Sequence, residues 1–206
     1  MRRLFQKLLL LAGLLGLHAA HAGPVTINFD GLVGGTAVTN QFPEATFSSN
    51  EGFEIFTFDR DFGSSPPNFI CTWTSVGGFD CAKDVFVSFT NPVNALSFLV
   101  VGINNFGKIG VVDVFDISSN LLGTVNIVGE GTTLGLVDLG TFSDVSRISI
   151  RDITDAYGVG YDDFTFVNEA VAVTVPEPAS LALVGLGLAA AYLSRRRSCK
   201  NDSDRR

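Results

Sequence analysis

Between Gly23 and Ala170 apolar residues recur at every second position in short runs, and no stretch keeps the spacing of a helical face. Val85, Val87 and Phe89 alternate with Phe86 and Ser88, and Ile148 and Ile150 alternate with Arg147, Ser149 and Arg151. A period of two places one face of a strand in a core and the other in water. Runs of this character occupy 25–29 (VTINF), 44–47 (EATF), 53–58 (FEIFTF), 83–89 (KDVFVSF), 95–103 (ALSFLVVGI), 110–117 (GVVDVFDI), 121–128 (LLGTVNIV), 145–153 (VSRISIRDI) and 161–167 (YDDFTFV), with Gly, Asn, Asp, Ser and Pro between them. Short strands at such regular intervals predict an all-β domain, a two-sheet β-sandwich over 23–170. Of the 18 phenylalanines only Phe5 lies outside that stretch. Their rings suit a sandwich interior about 10 Å thick.

The two ends of the 206-residue chain follow different rules. Arg2, Arg3 and Lys7 precede an apolar run from Leu8 to Leu17, and Ala20-His21-Ala22 closes it with small residues. This order predicts a secretory signal peptide over 1–22, removed by signal peptidase after Ala22. As a membrane helix the run would be too short, about half of the ~20 residues a span needs. At the other end a linker at 171–175 leads into Pro176-Glu177-Pro178, an uncharged stretch at 179–193, the cluster Arg195, Arg196 and Arg197, and a tail at 198–206. As a helix that stretch reaches about 22 Å against a hydrocarbon core of roughly 30 Å. Gly185, Gly187 and five alanines weaken its apolar drive further. The expectation is a short transmembrane helix that holds the chain temporarily at the inner membrane, its arginines on the cytoplasmic side and its sandwich exported. The two prolines keep 176–178 extended and poor in N–H groups, a form that the cleft of a processing enzyme accepts.

Without its ends the chain is strongly acidic. Residues 23–175 hold five basic side chains (Arg60, Lys83, Lys108, Arg147, Arg151) against eighteen acidic ones, a formal charge of −13. Such a domain repels phosphate backbones, which excludes nucleic acid as a partner. Both histidines, His18 and His21, fall in the leader. The exported part therefore lacks the base of Ser-His-Asp and Cys-His catalysis and the commonest zinc ligand, leaving carboxylates as its acid–base groups near neutral pH. Cys71 and Cys81 bracket a short loop in a compartment where disulfides persist, so they are expected to pair; two free thiols are the alternative. Cys199 lies beyond the arginines.

Val175 to Arg197, with its Pro-Glu-Pro box, apolar stretch and arginine cluster, closely resembles the PEP-CTERM sorting signal of Gram-negative bacteria. The resemblance implies that Pro176, Glu177, Pro178, Arg195, Arg196 and Arg197 are read by a membrane-embedded exosortase, which cuts near the box and releases the protein to the cell surface or extracellular matrix. Proteins of this kind often accompany exopolysaccharide production. Nine residues, SCKNDSDRR, follow the arginines where the family usually stops. VTINFD, TNQFPEATFSS, VSFTNPVNALSF, SSNLLGTV and GVGYDDFTF resemble pieces of the sandwich domains found with this signal. They imply a jelly-roll or galactose-binding-like scaffold without enzymatic activity.

Three places in the sandwich are candidates for chemistry. Asp162 and Asp163 are strand neighbours expected to point to opposite faces, so they cannot serve as the facing carboxylate pair of a glycosidase, and Asp162 shares parity with Phe164 and Phe166. Sandwiches of this resemblance often hold a structural calcium between first and last strands, which here would use Asp30 with Asp162 or Asp163; turn hydrogen bonds are the simpler reading of the same residues. The loop CTWTSVGGFDC carries Trp73 and Phe79 as candidate sugar-stacking rings, with core packing as the plain alternative. Asp152, Asp155 and Tyr157 are expected to form a solvated turn, with a place in the cation site as the alternative. The predicted role is a non-enzymatic matrix or biofilm component, structural or adhesive. A carbohydrate-binding module for exopolysaccharide is the second reading and a carboxylate-dependent polysaccharide hydrolase a remote third.

Overall fold

The computed structural model describes residues 23–50, 52–60, 64–75, 77–168 and Gly185. The leader at 1–22, the linker at 171–175, the tail at 198–206 and, apart from Gly185, the sorting segment at 176–197 lie outside the described residues. Among the described residues no helix is long and apolar enough to cross a membrane. Eleven strands form the described part of the first of two compact units, 1–170. They are β1 (Pro24–Ile27), β2 (Ala45–Ser49), β3 (Glu54–Asp59), β4 (Asn68–Thr74), β5 (Gly78–Phe79), β6 (Val85–Val101), β7 (Phe106–Phe115), β8 (Leu121–Glu130), β9 (Leu134–Asp138), β10 (Val145–Arg151) and β11 (Gly160–Asn168).

The long strand β6 makes the sandwich. Its first half, 85–89, pairs antiparallel with β2 on one side and β10 on the other, and β10 leads outward to β7 and β8. Its second half pairs with β11 over 93–101 and with β9 over 97–101, β10 reaching it only through the Val145–Val93 pair. The sequence predicts two strands here, 83–89 and 95–103, with Asn91-Pro92 as the break; the structure has one strand that changes sheets. Pro92 has no N–H to lose from a ladder, and Ala95 takes a left-handed φ of 52°, so the chain bends where its partners change. The far edge of β11 is shared, β4 taking Tyr161 and β1 taking Phe164 to Val167.

Between the two sheets lies an aromatic core. Phe47 of β2 packs edge-on against Phe164 of β11 at 5.5 Å, Phe89 of β6 against Phe166 at 5.1 Å, and Phe98 stacks on Phe164 at 5.1 Å. A second, smaller cluster sits on the outer side of β4, where Phe69, Cys71 and Val101 are buried beneath Phe58, Cys81 and Leu134. The strand NFICTWT is thus covered on both faces over 68–72.

Cys71 and Cys81 are joined, with Cα atoms 5.1 Å apart. The segment between them is a correction to the expected loop: residues 71–74 complete β4, Phe79 lies opposite Trp73 in β5, and the bridge fastens a hairpin. Replacing both cysteines with alanine is expected to cost about 2.5 kcal/mol, read as a lower denaturant midpoint. An unchanged midpoint would deny the bridge a stabilising part.

Candidate functional site

Two places gather the residues singled out in the sequence. The first is a corner where β4 gives way to β1 along β11. The register of β11 on β6 shifts between Asp162 and Thr165, and Asp163 adopts a left-handed φ of 48°. This bulge corrects the expected alternation, because an extra residue lets Tyr161 and Phe164 both face the main core. Asp162 and Asp163 accordingly fall within reach of one hydroxyl. Ser65 Oγ lies 2.9 Å from Asp163 Oδ1 and 3.3 Å from Asp162 Oδ2, and the Asp163 N–H donates to Asp162 Oδ1 at 2.8 Å.

Asp162 is 0% exposed. Burial pushes its carboxyl up to about 7, aided by the nearby charges of Asp163 and Asp30, while hydrogen bonds from Ser64 and from the Asp163 N–H oppose the rise. Asp30 Oδ1 accepts the Asn68 N–H at 3.2 Å, so it ties the end of β1 to the start of β4. Among the described residues no three His, Cys, Asp or Glu side chains are grouped to hold a metal ion. Calcium at this corner is therefore a proposal to set against a buried, protonated carboxyl, and the two predict opposite pH dependences.

The second place is a cleft of about 390 Å³ on the outer side of β4. Phe69 lies at its floor and Phe58 beside it, with ring centroids 5.4 Å apart, and Phe79 meets Phe58 edge-on at 4.0 Å. Phe79 is 44% exposed. Trp73 does not line the cleft; it is half-buried against Phe56, 5.0 Å between centroids. The guanidinium of Arg60 lies 5.2 Å over the Phe58 ring, and among the described residues Arg60 makes no ion pair.

Another part of the rim comes from the segment after β10, and here the expected solvated turn is corrected at Asp155. Asp155 is only 4% exposed. Its Oδ2 accepts the N–H groups of Asn104 and Asn105 at 2.8 and 3.0 Å, and its Oδ1 accepts the Tyr157 N–H at 3.3 Å. One carboxylate thus pins two loops that are far apart in sequence. Tyr157, 83% exposed, stands on this rim. Gly158 has φ +71°, and a Cβ there would strike the Cys81 backbone; a Cβ on Gly160 would enter the Phe69 ring. These contacts explain both glycines of GVGYDDFTF as packing requirements.

Sequence reasoning found Phe79 and missed Arg60, Asn104 and the cleft itself. The signal available was weak: one of three arginines in an acidic domain, and an aspartate with amide partners about fifty residues away.

Comparison with known proteins places a PEP-CTERM protein-sorting motif at residues 174–197. The motif implies export, processing by an exosortase, and a cell-surface or extracellular destination. No curated protein matches the chain. Similar solved structures include a CBM22-1 xylan-binding domain of Xyn10C from Paenibacillus barcinonensis, at 11% identity and a TM-score of 0.41, covering 73% of this chain and 97% of that one. A family 35 carbohydrate binding module from Clostridium thermocellum matches at 11% identity and a TM-score of 0.36, covering 70% and 98%. The isomalto-dextranase of Arthrobacter globiformis T6, complexed with panose, matches at 13% identity and a TM-score of 0.36, covering 70% of this chain. The present chain spans about a third of that enzyme's length, 32%. Likenesses this distant carry no argument about ligand or activity.

Proposed function

We propose that this chain is an exported, non-enzymatic matrix protein of a Gram-negative bacterium, cut first by signal peptidase after Ala22 and then by an exosortase near Pro176-Glu177-Pro178. The sorting motif at 174–197 is the observation that carries this reading. Residues 23–206 contain no histidine, and both oxygens of Asp162 and the Oδ1 of Asp163 are engaged with Ser65 or with the Asp163 N–H, which supports a structural or adhesive role over hydrolysis. Mass spectrometry of protein recovered outside cells is the test. With the exosortase present, the recovered chain should begin at Gly23 and lack Arg195 to Arg197; without it, the chain should remain in the membrane fraction with both segments 176–197 and 198–206 attached. Full-length material embedded in the bilayer of exosortase-positive cells would overturn the proposal.

A second reading, a carbohydrate-binding module, is favoured by one observation: the cleft beside Phe58 and Phe79 presents aromatic surface to solvent on a braced scaffold.

A further inference from the structure

We infer that this cleft binds a short stretch of a neutral polysaccharide, with Phe79 and Tyr157 as its stacking rings and Arg60 and Asn104 as hydroxyl partners; the inference deepens the carbohydrate-binding reading and rests on it. Phe79, edge-on to Phe58 yet 44% exposed, and Tyr157, 83% exposed, both line one concavity, whereas Phe106, also mostly in water, lies outside it. A flat apolar ring beside exposed hydrogen-bonding groups matches a pyranose, which offers a C–H face and a rim of hydroxyls. Arg60 brings a planar fork of donors, held over Phe58 and free of an ion pair among the described residues, and such a fork fits two adjacent hydroxyl oxygens. Asn104, exposed on the cleft rim, donates its Nδ2 to Gly102 O and to Asp155 Oδ1, which leaves its Oδ1 to accept from a sugar hydroxyl.

Rigidity supports the assignment. The disulfide closes the hairpin that carries Phe79, and Asp155 clamps the loops that carry Asn104 and Tyr157. Rims fixed before binding lose little conformational freedom when a ligand arrives. Charge selects among polysaccharides. At −13 over residues 23–175 the domain repels a polyanion along the many repeats that lie outside the cleft, and a single arginine does not reverse that field. A neutral chain meets no such barrier.

The test uses the exported, processed protein against soluble mixed-linkage glucan, xylan, galactomannan and dextran, with alginate and polygalacturonate as acidic members, by affinity electrophoresis and calorimetry at low and high salt. Saturable binding to a neutral member is expected, changing less than about twofold with salt. Phe79→Ala and Tyr157→Ala should each weaken it about tenfold. Ile117→Ala, which removes an exposed side chain beyond β7 (77% exposed), should leave it unchanged. Neutral-glycan binding that ignores both aromatic substitutions would overturn the cleft assignment and spare the carbohydrate-binding reading. Absence of binding across the panel would overturn both. Binding confined to the acidic members and abolished by salt would overturn the neutral specificity.

Discussion

Between about pH 5 and pH 8 the melting temperature of the exported protein is expected to fall by roughly 6 °C, and in Asp162→Asn to stay nearly level. The sign follows from which state holds the proton. Folded, Asp162 keeps it up to about 7 because its carboxyl is buried; unfolded, an aspartate releases it near 3.9. Between those values the native state binds more protons, so this group's contribution is fully present below about 4 and is lost as pH rises through about 7. Over this window the unscreened limit is about 2.7 kcal/mol, and allowing for solvent screening the loss is roughly 2 kcal/mol. The amide introduced by the substitution cannot ionise and keeps the shape, so at the alkaline end the variant should be at least as stable as the parent. A divalent cation held by Asp30, Asp162 and Asp163 would reverse the slope, since a cation favours the ionised carboxylates and stability would then rise with pH and collapse on adding chelator. A rising or level curve in the parent would sink the protonated-carboxyl account. A rising curve that chelator abolishes would establish the calcium.

Particular strands show what alternation can and cannot reveal. The solvent-facing parts of β6 and β10 were legible because Val85, Val87 and Ile148, Ile150 stand against polar or half-exposed neighbours. The NFIC stretch of β4 was not, since burial on both faces removes the period of two, and β9 is a five-residue edge that pairs only with β6. The bulge in β11 was invisible because nothing in the doublet Asp162-Asp163 announces that Asp163 turns left-handed. Likewise Asp155 looks solvated until Asn104 and Asn105 are brought to it by the fold. Local pattern encodes which face is wet; it does not encode which distant amide will spend a carboxylate. That is also why Trp73, the more conspicuous ring, falls against Phe56 while Phe79 borders the cleft.

Phe164→Ala is expected to remove about 3–5 kcal/mol, enough to leave a marginally stable domain largely unfolded at growth temperature. Phe164 is the ring that both sheets share. It stacks on Phe98 of β6 at 5.1 Å and takes Phe47 of β2 and Phe29 edge-on at 5.5 and 6.1 Å, all in a core closed to water. Removing it opens a cavity whose walls come from both sheets and from the connection after β1, and three edge or stacking pairs vanish together. Phe164→Leu should recover about half of that loss, because it restores most of the buried apolar volume but none of the ring geometry. The Phe79→Ala variant, made for the glycan test, serves as the comparison: its ring is partly in water and borders the smaller cluster, so its cost should stay near about 1 kcal/mol. Denaturant midpoints at constant m-value measure both. Were Phe164→Ala to shift the midpoint no more than Phe79→Ala, the aromatic seam would not be what joins the two sheets, and the load would have to lie in the continuous backbone of β6.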